Sequence, residues 1–215
     1  MPSSATSVWL PRVIFESALI TMSILLALGL DEWRETRQTE DTIQQALSNF
    51  LSEIAQNKAR VDDAAPFNKG LHDVIEQRAA SGEITSISQF ISIMDSYSPV
   101  VLQSTAWETA LATGSLADMD YGLVSALSLT YGLQSRYEQT NREAGARLTS
   151  PQNISTDTLD LAIYNSTQYL EDVTSMETEL GVVYEEAAAV IRAAWPELFG
   201  KESDSDFKQL QREHP

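Results

Sequence analysis

An unbroken apolar run near the N-terminus constrains this chain more than any other feature of its sequence. From Val13 to Leu30 the chain reads VIFESALITMSILLALGL, eighteen residues with one charged side chain, Glu16. At about 1.5 Å of rise per residue, a helix of this length spans roughly 27 Å, close to the ~30 Å hydrocarbon core of a bilayer. The run therefore predicts a transmembrane helix over residues 13–30.

The residues that flank the run are typical of the two membrane interfaces. Trp9 and Trp33 bracket it, and Arg12 and Arg34 add a positive charge at each end. Aromatic and basic side chains concentrate where lipid headgroups meet water, so we predict membrane-interface contacts for these four residues. The numbers of basic residues just before and just after the run are nearly equal. The short N-terminal flank, residues 1–12, favours a single pass through a bacterial inner membrane with the following domain in the periplasm.

Two alternatives would also produce an apolar run of this kind. A cleaved signal peptide would need a small-residue cleavage site, and residues 27–29 (Ala-Leu-Gly) form only a marginal one. Cleavage there would cut a helix that continues through residues 31–34 without a Gly or Pro. A buried core helix of a soluble protein usually keeps a polar face, which this run lacks. The transmembrane helix is therefore the favoured prediction.

The chain after the anchor has the apolar spacing of α-helices. Between Ile43 and Val61, apolar residues recur at intervals of three, four and seven. No Gly or Pro occurs between Leu30 and Pro66, so the pattern predicts one rod from the anchor to about Ala65. Further helical segments are predicted over 67–79, 85–97, 100–113, 119–148 and 159–191.

Strand patterns are nearly missing from the sequence, since no stretch alternates cleanly between polar and apolar residues. The predicted fold is all-α: one transmembrane helix continues into an antiparallel helical bundle over residues 31–199. In that bundle the rod and the long last helix should pack together, with the shorter helices as a cap. Residues 200–215 are polar and predict a solvated tail.

The charge of the chain limits its partners. The formal net charge is −17, and residues 1–30 carry only one Arg and one Glu, so the excess lies after the anchor. A nucleic acid, itself a polyanion, would be repelled by this domain and is excluded as a predicted partner. The chain has no cysteine, which rules out disulfides and thiolate chemistry.

The sequence lacks the residue patterns of an enzyme. Its two histidines, His72 and His214, have no partner at metal-ligand or acid-base spacing. HExxH, GxSxG and glycine-rich phosphate-binding motifs are missing. Acidic pairs such as Asp62-Asp63 lack the spacing of a calcium loop. We therefore predict no catalytic residue, metal site, cofactor or small-molecule substrate.

Two segments carry a resemblance to other proteins: LALGLDEWRE at Leu26–Glu35 and TAWETALATGSL at Thr105–Leu116. With them the chain resembles uncharacterised bacterial single-pass membrane proteins in which an N-terminal apolar helix ends in a D-E-W-R motif. The resemblance implies an anchor followed by a helical domain. It implies no activity.

These observations predict a non-catalytic accessory subunit that docks on a larger membrane complex, respiratory or photosynthetic. Its partners would be the lipid bilayer and other subunits of that complex. Glu16 is a candidate partner contact because an ionisable group in a membrane segment often pairs with another helix. Trp107 is a second candidate, because tryptophan is enriched at protein interfaces. The alternative is a stand-alone envelope module that binds or scaffolds an unknown ligand.

Overall fold

The computed structural model describes residues 9–95, 97, 99–148 and 158–196, and for residues 9–12 and 146–148 it describes the backbone alone. Throughout this part of the chain the regular elements are helices, which confirms the all-α prediction. They are α1 (Trp9–Ala80), α2 (Ile87–Met94), α3 (Thr105–Thr113), a 3-10 turn (Ser115–Asp118), α4 (Tyr121–Leu148) and α5 (Leu159–Ala194). The predicted tail, 200–215, lies outside the described residues.

The chain divides into two compact units, residues 1–45 and residues 46–215. The first unit contains the apolar run. The most apolar 18-residue window of α1 has a mean hydropathy of 2.2, and none of that window is buried. Exposure of this kind does not fit a buried core helix, which would bury such side chains. Among the described helices, α1 alone is long and apolar enough to cross a membrane.

The spacing predicts a rod that ends near Ala65, and this prediction is wrong because α1 continues through Pro66 to its end. Proline lacks the amide hydrogen that would bond the Asp62 carbonyl, and its ring crowds that carbonyl, which together cost about 3 kcal/mol in a helix interior. Pro66 and Asp62 are both exposed, so water can reach the carbonyl. Val61 and Leu71, on either side of the proline, are buried. Burial of this stripe holds the helix together across the proline.

In the second unit, α1 and α5 run antiparallel, which confirms the predicted pairing of the first and last long helices. Lys58 forms an ion pair with Glu185 at 3.3 Å. Farther along α1, Asn68 Nδ2 donates to Glu177 Oε1 at 2.6 Å. Residue numbers therefore rise along α1 as they fall along α5.

The third long helix, α4, is antiparallel to α5 and parallel to this part of α1. The Thr130 hydroxyl reaches the Val183 carbonyl at 3.5 Å. The Tyr137 hydroxyl donates to Glu177 Oε1 at 2.9 Å. The second unit is therefore built around a bundle of three long helices.

The buried stripes of the three helices follow the heptad spacing of coiled coils, in steps of three, four or seven residues. Most members are aliphatic or aromatic, but several are polar. The stripes are Leu47, Phe50, Ile54, Asn57, Val61, Asn68, Leu71 and Ile75 on α1, Leu123, Leu127, Thr130, Gln134 and Tyr137 on α4, and Ser166, Leu170, Val173, Glu177, Leu180, Tyr184, Ala187 and Ile191 on α5.

The segment before α3 is not helical, although the spacing predicts a helix from Val100, because a side chain of α1 bonds its backbone. Asn57 Nδ2 donates to the Gln103 carbonyl at 2.7 Å, and the Gln103 amide donates to Asn57 Oδ1 at 2.9 Å. Both backbone groups of Gln103 are thereby taken out of helical hydrogen bonding. Helix α3 consequently begins at Thr105.

A glycine in the left-handed region of backbone conformation ends α3. Gly114 has φ +74, and a Cβ there would meet nothing within 4 Å. Gly114→Ala should therefore destabilise the domain through backbone strain alone, by about 1–2 kcal/mol. Gly132→Ala is the matched control, because Gly132 lies inside α4 with no atom near its Cβ position. Alanine there should stabilise the helix by about 0.5–1 kcal/mol.

Urea unfolding of the full-length chain in lipid nanodiscs, followed by circular dichroism, measures both variants. Opposite shifts of the transition midpoint are expected. If Gly114→Ala is as stable as the unchanged chain, the left-handed turn is not what terminates α3.

Candidate functional site

Buried polar side chains from the three long helices form a series of clusters inside the bundle. Two carboxyl groups take part, Glu53 and Glu177, which are 7% and 1% exposed. A buried polar group is costly unless it has hydrogen-bond partners, so each cluster can be judged by how completely its atoms are paired.

The Glu53 carboxyl is fully paired. Its Oε2 accepts from the Ala106 amide at 2.9 Å, and its Oε1 accepts from the Tyr131 hydroxyl at 2.7 Å. Ala106 lies in the first turn of α3, whose free amides and positive dipole end favour a carboxylate. Glu53 therefore caps α3 from a neighbouring helix. Burial, reinforced by Glu53, raises the pKa of Tyr131 well above its ordinary value.

An amide cluster follows in the same bundle and is also well paired. Asn57 Nδ2 donates to Gln134 Oε1 at 3.1 Å, and Gln134 Nε2 donates to the Gln103 carbonyl at 2.8 Å. The Tyr184 hydroxyl donates to Gln134 Oε1 at 3.0 Å. These bonds join α1, α4, α5 and the segment before α3.

Glu177 differs from Glu53 because its pairing is incomplete. Its Oε1 accepts from Asn68 and from Tyr137 at 2.6 and 2.9 Å. Among the described residues, Glu177 Oε2 and Asn68 Oδ1 have no hydrogen-bond partner although both are buried. Burial raises the pKa of Glu177 above its ordinary value, and the bonds from Asn68 and Tyr137 oppose that rise. A proton on the Glu177 carboxyl would add a hydrogen-bond donor, which neither Glu177 Oε2 nor Asn68 Oδ1 provides.

A tyrosine cluster lies towards the C-terminal end of α4 and the N-terminal end of α5. The Tyr97 hydroxyl donates to Asn141 Oδ1 at 2.8 Å, and the Tyr169 hydroxyl lies within hydrogen-bond distance of both groups. The two tyrosine rings meet edge to face with centroids 5.5 Å apart. Burial raises the pKa of Tyr169 to about 12, so its hydroxyl stays protonated at neutral pH.

A cleft opens beside this cluster, between α2, α4 and α5. It encloses about 350 Å³, a size that small-molecule sites share. Its wall includes the buried ring of Phe90 and the ring of Tyr169. Two carboxylates, Glu143 from α4 and Asp172 from α5, also line it.

The predicted membrane-interface residues Trp33 and Arg34 lie on α1, and both are exposed. The guanidinium of Arg37 lies over the Trp33 ring, 5.4 Å from its centroid, so this aromatic ring is paired with a cation. Trp9 and Arg12 belong to α1, but their side chains lie outside the described part. Interface contact for these four residues stays a prediction.

The two candidate partner contacts have different surroundings. Glu16 is exposed on α1 within the apolar run. Trp107 is half-buried and stacks on Tyr131, with ring centroids 5.4 Å apart and an interplanar angle of 17°. Phe50 adds a tilted contact to the Trp107 ring at 6.5 Å. Trp107 thus packs inside the domain with part of its ring exposed, and its contact with a partner stays a prediction.

A metal site would need several acidic or histidine side chains close together. Within the described ranges, no three His, Asp or Glu residues converge as a metal site would require. His72 instead lies 3.4 Å from the carboxylate of its neighbour Asp73.

The sequence patterns did not identify the buried polar residues, although a signal for them exists. Asn57, Asn68, Gln134, Ser166 and Glu177 occupy heptad positions at which the neighbouring repeats carry aliphatic or aromatic residues. A polar residue in an otherwise apolar heptad stripe is a known device of helical bundles. Tracing the stripes through these residues, instead of through the apolar ones alone, would have found them.

Comparison with protein-family models, with curated proteins and with solved structures found no match to this chain.

Proposed function

We propose that this chain is a non-catalytic accessory subunit that is anchored by one transmembrane helix and docks on a larger membrane complex. The main support for this proposal is the apolar window of α1, of which no part is buried. An exposed apolar surface of this length is stable only when lipid or another protein covers it. We also propose that the chain lies in the inner membrane, with its helical domain in the periplasm.

A groove on the domain supports docking. Tyr121 and Leu129 on α4 are 86% and 63% exposed, unusually high values for large apolar side chains. Together with small residues such as Ser128 and Gly132, they line a shallow groove on α4. Small residues let another helix approach closely, while an exposed tyrosine can anchor an interface.

The buried carboxyls also fit a structural role. Glu53 caps α3, and Glu177 joins α1 to α4 through Asn68 and Tyr137. Both therefore serve to hold helices together. A respiratory or photosynthetic host remains a prediction from the sequence.

Membrane extraction and native electrophoresis test this proposal. The chain should resist alkaline carbonate and dissolve in mild detergent. After mild extraction it should migrate in a complex much larger than its own 23.8 kDa. Migration as a lone species would contradict docking, and a mature chain that starts near residue 30 would show that the run is a cleaved signal peptide.

Charges placed in the run provide a matched pair of variants. Met22→Arg combined with Leu25→Arg should release the chain from the membrane, because each arginine costs about 2.5–3.5 kcal/mol at the centre of a membrane helix. Gln38→Arg combined with Gln45→Arg adds the same charge at exposed positions outside the run and should leave the chain in the membrane. Equal retention of both variants would refute the anchor.

A second candidate function, a ligand-binding module, is favoured by one observation: the cleft between α2, α4 and α5. The two functions are compatible, because the cleft and the α4 groove are lined by different residues.

A further inference from the structure

We propose that residues 67–80, the part of α1 beyond Pro66, open locally from α5, and that a proton on the buried Glu177 carboxyl keeps them closed. We call residues 67–80 the distal segment of α1. The proposal goes beyond the accessory role and does not depend on it, because the distal segment, Glu177 and their contacts all lie inside the second unit. It describes a conformational latch that responds to pH.

Pro66 sets the boundary of the distal segment. The proline has no amide hydrogen for the Asp62 carbonyl, so the hydrogen-bond ladder of α1 is interrupted inside the helix. Helices bend or separate most readily where a bond of this ladder is missing. The parts of α1 before and after Pro66 can therefore open at different free-energy costs.

The distal segment buries fewer side chains than the part of α1 before it. From residue 47 to residue 61 the buried side chains are Leu47, Phe50, Leu51, Glu53, Ile54, Ala55, Asn57 and Val61. Over a similar length, the distal segment buries only Asn68, Leu71 and Ile75. Local opening costs least where few side chains are buried. The distal segment should therefore open before the bundle as a whole unfolds.

One buried polar pair connects the distal segment to α5. Asn68 Nδ2 donates to Glu177 Oε1 at 2.6 Å, and the two residues are 0% and 1% exposed. Asn68 Oδ1 and Glu177 Oε2 are buried without a hydrogen-bond partner in the described part of the chain. An ionised carboxyl here would be a buried charge with an unpaired oxygen, which is costly. The closed segment therefore favours the protonated carboxyl, and ionisation favours opening, which brings water to Glu177.

The side chains that interact with Glu177 do not supply a compensating charge. Tyr137 on α4 donates to its Oε1 at 2.9 Å, and Tyr97 and Tyr169 interact electrostatically with the carboxyl. Burial raises the pKa of all three hydroxyls, so they keep their protons at neutral pH. Glu177 is thus the group whose ionisation can change the balance between the closed and the open segment.

Charged groups on the neighbouring helices are paired elsewhere. On α1, His72 lies one turn after Asn68 and is 3.4 Å from the Asp73 carboxylate. On α4, Glu138 forms an ion pair with Arg142 at 3.8 Å. Burial raises the pKa of Glu138 as well. Glu138 can therefore titrate in the same pH range and is the carboxyl against which the role of Glu177 must be tested.

The latch has a definite pH dependence. Burial raises the pKa of Glu177 while the segment is closed, and hydration on opening returns it towards the ordinary value of about 4.3. The proton therefore stabilises the closed segment fully below that value, and this stabilisation is lost as the pH rises through the closed-state value. Opening should become more frequent across this window and then level off.

Hydrogen–deuterium exchange of the full-length chain in phosphatidylcholine nanodiscs, followed by mass spectrometry, tests the latch. Each exchange rate is divided by the intrinsic rate of the same peptide, because exchange is itself catalysed by base. Between about pH 5 and 8, the corrected rate in residues 67–80 should rise at least about three-fold. In residues 47–61 it should change by less than about 1.5-fold.

Two glutamine variants identify the titrating group. Glu177→Gln removes the carboxyl, so the corrected rate in residues 67–80 should be low and independent of pH. Glu138→Gln removes the other carboxyl and should keep the pH dependence of the unchanged chain. Circular dichroism verifies that both variants are as helical as the unchanged chain.

The outcomes that contradict the latch are distinct. Equal corrected rates on the two sides of Pro66, or a rate in residues 67–80 that does not change with pH, would refute it. A rise of the same size in residues 47–61 would assign the effect to unfolding of the whole domain. A rise that persists in Glu177→Gln, or disappears in Glu138→Gln, would assign it to another group.

Discussion

Glu177→Gln is expected to stabilise the helical domain at neutral and alkaline pH by about 1–3 kcal/mol, the penalty of a buried polar group without a partner. A glutamine at this position keeps an oxygen that can accept from Asn68 Nδ2 and from Tyr137. Its Nε2 replaces the unpartnered Oε2 with a hydrogen-bond donor, and Asn68, which already bonds Glu177, carries a second buried acceptor without a partner among the described residues, Oδ1. The substitution therefore supplies a donor to a buried cluster in which two acceptors lack one.

The pH dependence of the unchanged chain should have a definite sign. Burial raises the pKa of Glu177 in the folded state, so the folded chain holds this proton more tightly than the unfolded chain. The stabilising effect of the proton is fully present below the unfolded value of about 4.3 and is lost as the pH rises through the folded value. Glu177 interacts with Tyr137, Tyr97 and Tyr169, and burial raises the pKa values of these three hydroxyls as well. They stay neutral across this pH range.

Urea unfolding at a series of pH values from 4 upward measures the effect as a difference between variant and unchanged chain. That difference should be small in acid and grow as the pH rises. Glu179→Gln is the matched control, because Glu179 is an exposed residue on the same helix. It should change stability by no more than about 0.5 kcal/mol at any pH. A Glu177→Gln chain that is less stable at neutral pH would contradict this account of the buried carboxyl.

Phe50→Ala is expected to cause the largest loss of stability, about 3–5 kcal/mol. Phe50 is fully buried on the α1 stripe. Its ring lies 5.9 Å from Tyr131 and 6.5 Å from Trp107, so truncation leaves a cavity beside the stacked pair. Because a domain of this size is stable by only about 5–15 kcal/mol, the loss would be a large share of the total.

Phe67→Ala on the same helix makes a close comparison, since Phe67 is 47% exposed. Its cost should be near 0.5 kcal/mol, as is usual for surface changes. Urea midpoints and tryptophan fluorescence report both variants, and only Phe50→Ala should change the fluorescence of the Trp107 environment. Equal losses in the two variants would mean that the aromatic cluster contributes no more than an exposed ring does.

The all-α architecture could be predicted from the sequence because apolar periodicity reports directly on helical burial. The apolar stripe from Leu159 to Ile191 was sufficient to predict a long last helix, which α5 confirms. The sequence predicts this helix to be the longest of the domain, but α1 is longer because it continues past Pro66. The continuation of α1 through Pro66 could not be predicted this way. A local rule gives the cost of a proline, but the compensating burial of Val61 and Leu71 depends on helices distant in the sequence.

The candidate sites were harder to predict for the same reason. Glu53 caps α3 by accepting a hydrogen bond from the Ala106 amide, fifty-three positions later in the chain, and no local motif links the two. The cleft gathers Phe90, Glu143 and Asp172 from three separate helices. Only the tertiary arrangement brings these side chains together, whereas composition and spacing describe one segment at a time.

The polar members of the heptad stripes also determine the register in which the long helices can pair. If α5 slid along α1 by one heptad, about 10 Å, the apolar positions would still match one another. Glu177, however, would then leave Asn68 and face Val61 or Ile75, both almost completely buried. A carboxyl buried against aliphatic side chains is strongly unfavourable. The incompletely paired carboxyl that lowers the stability of the bundle thus penalises slipped pairings even more, which favours a single alignment of its helices.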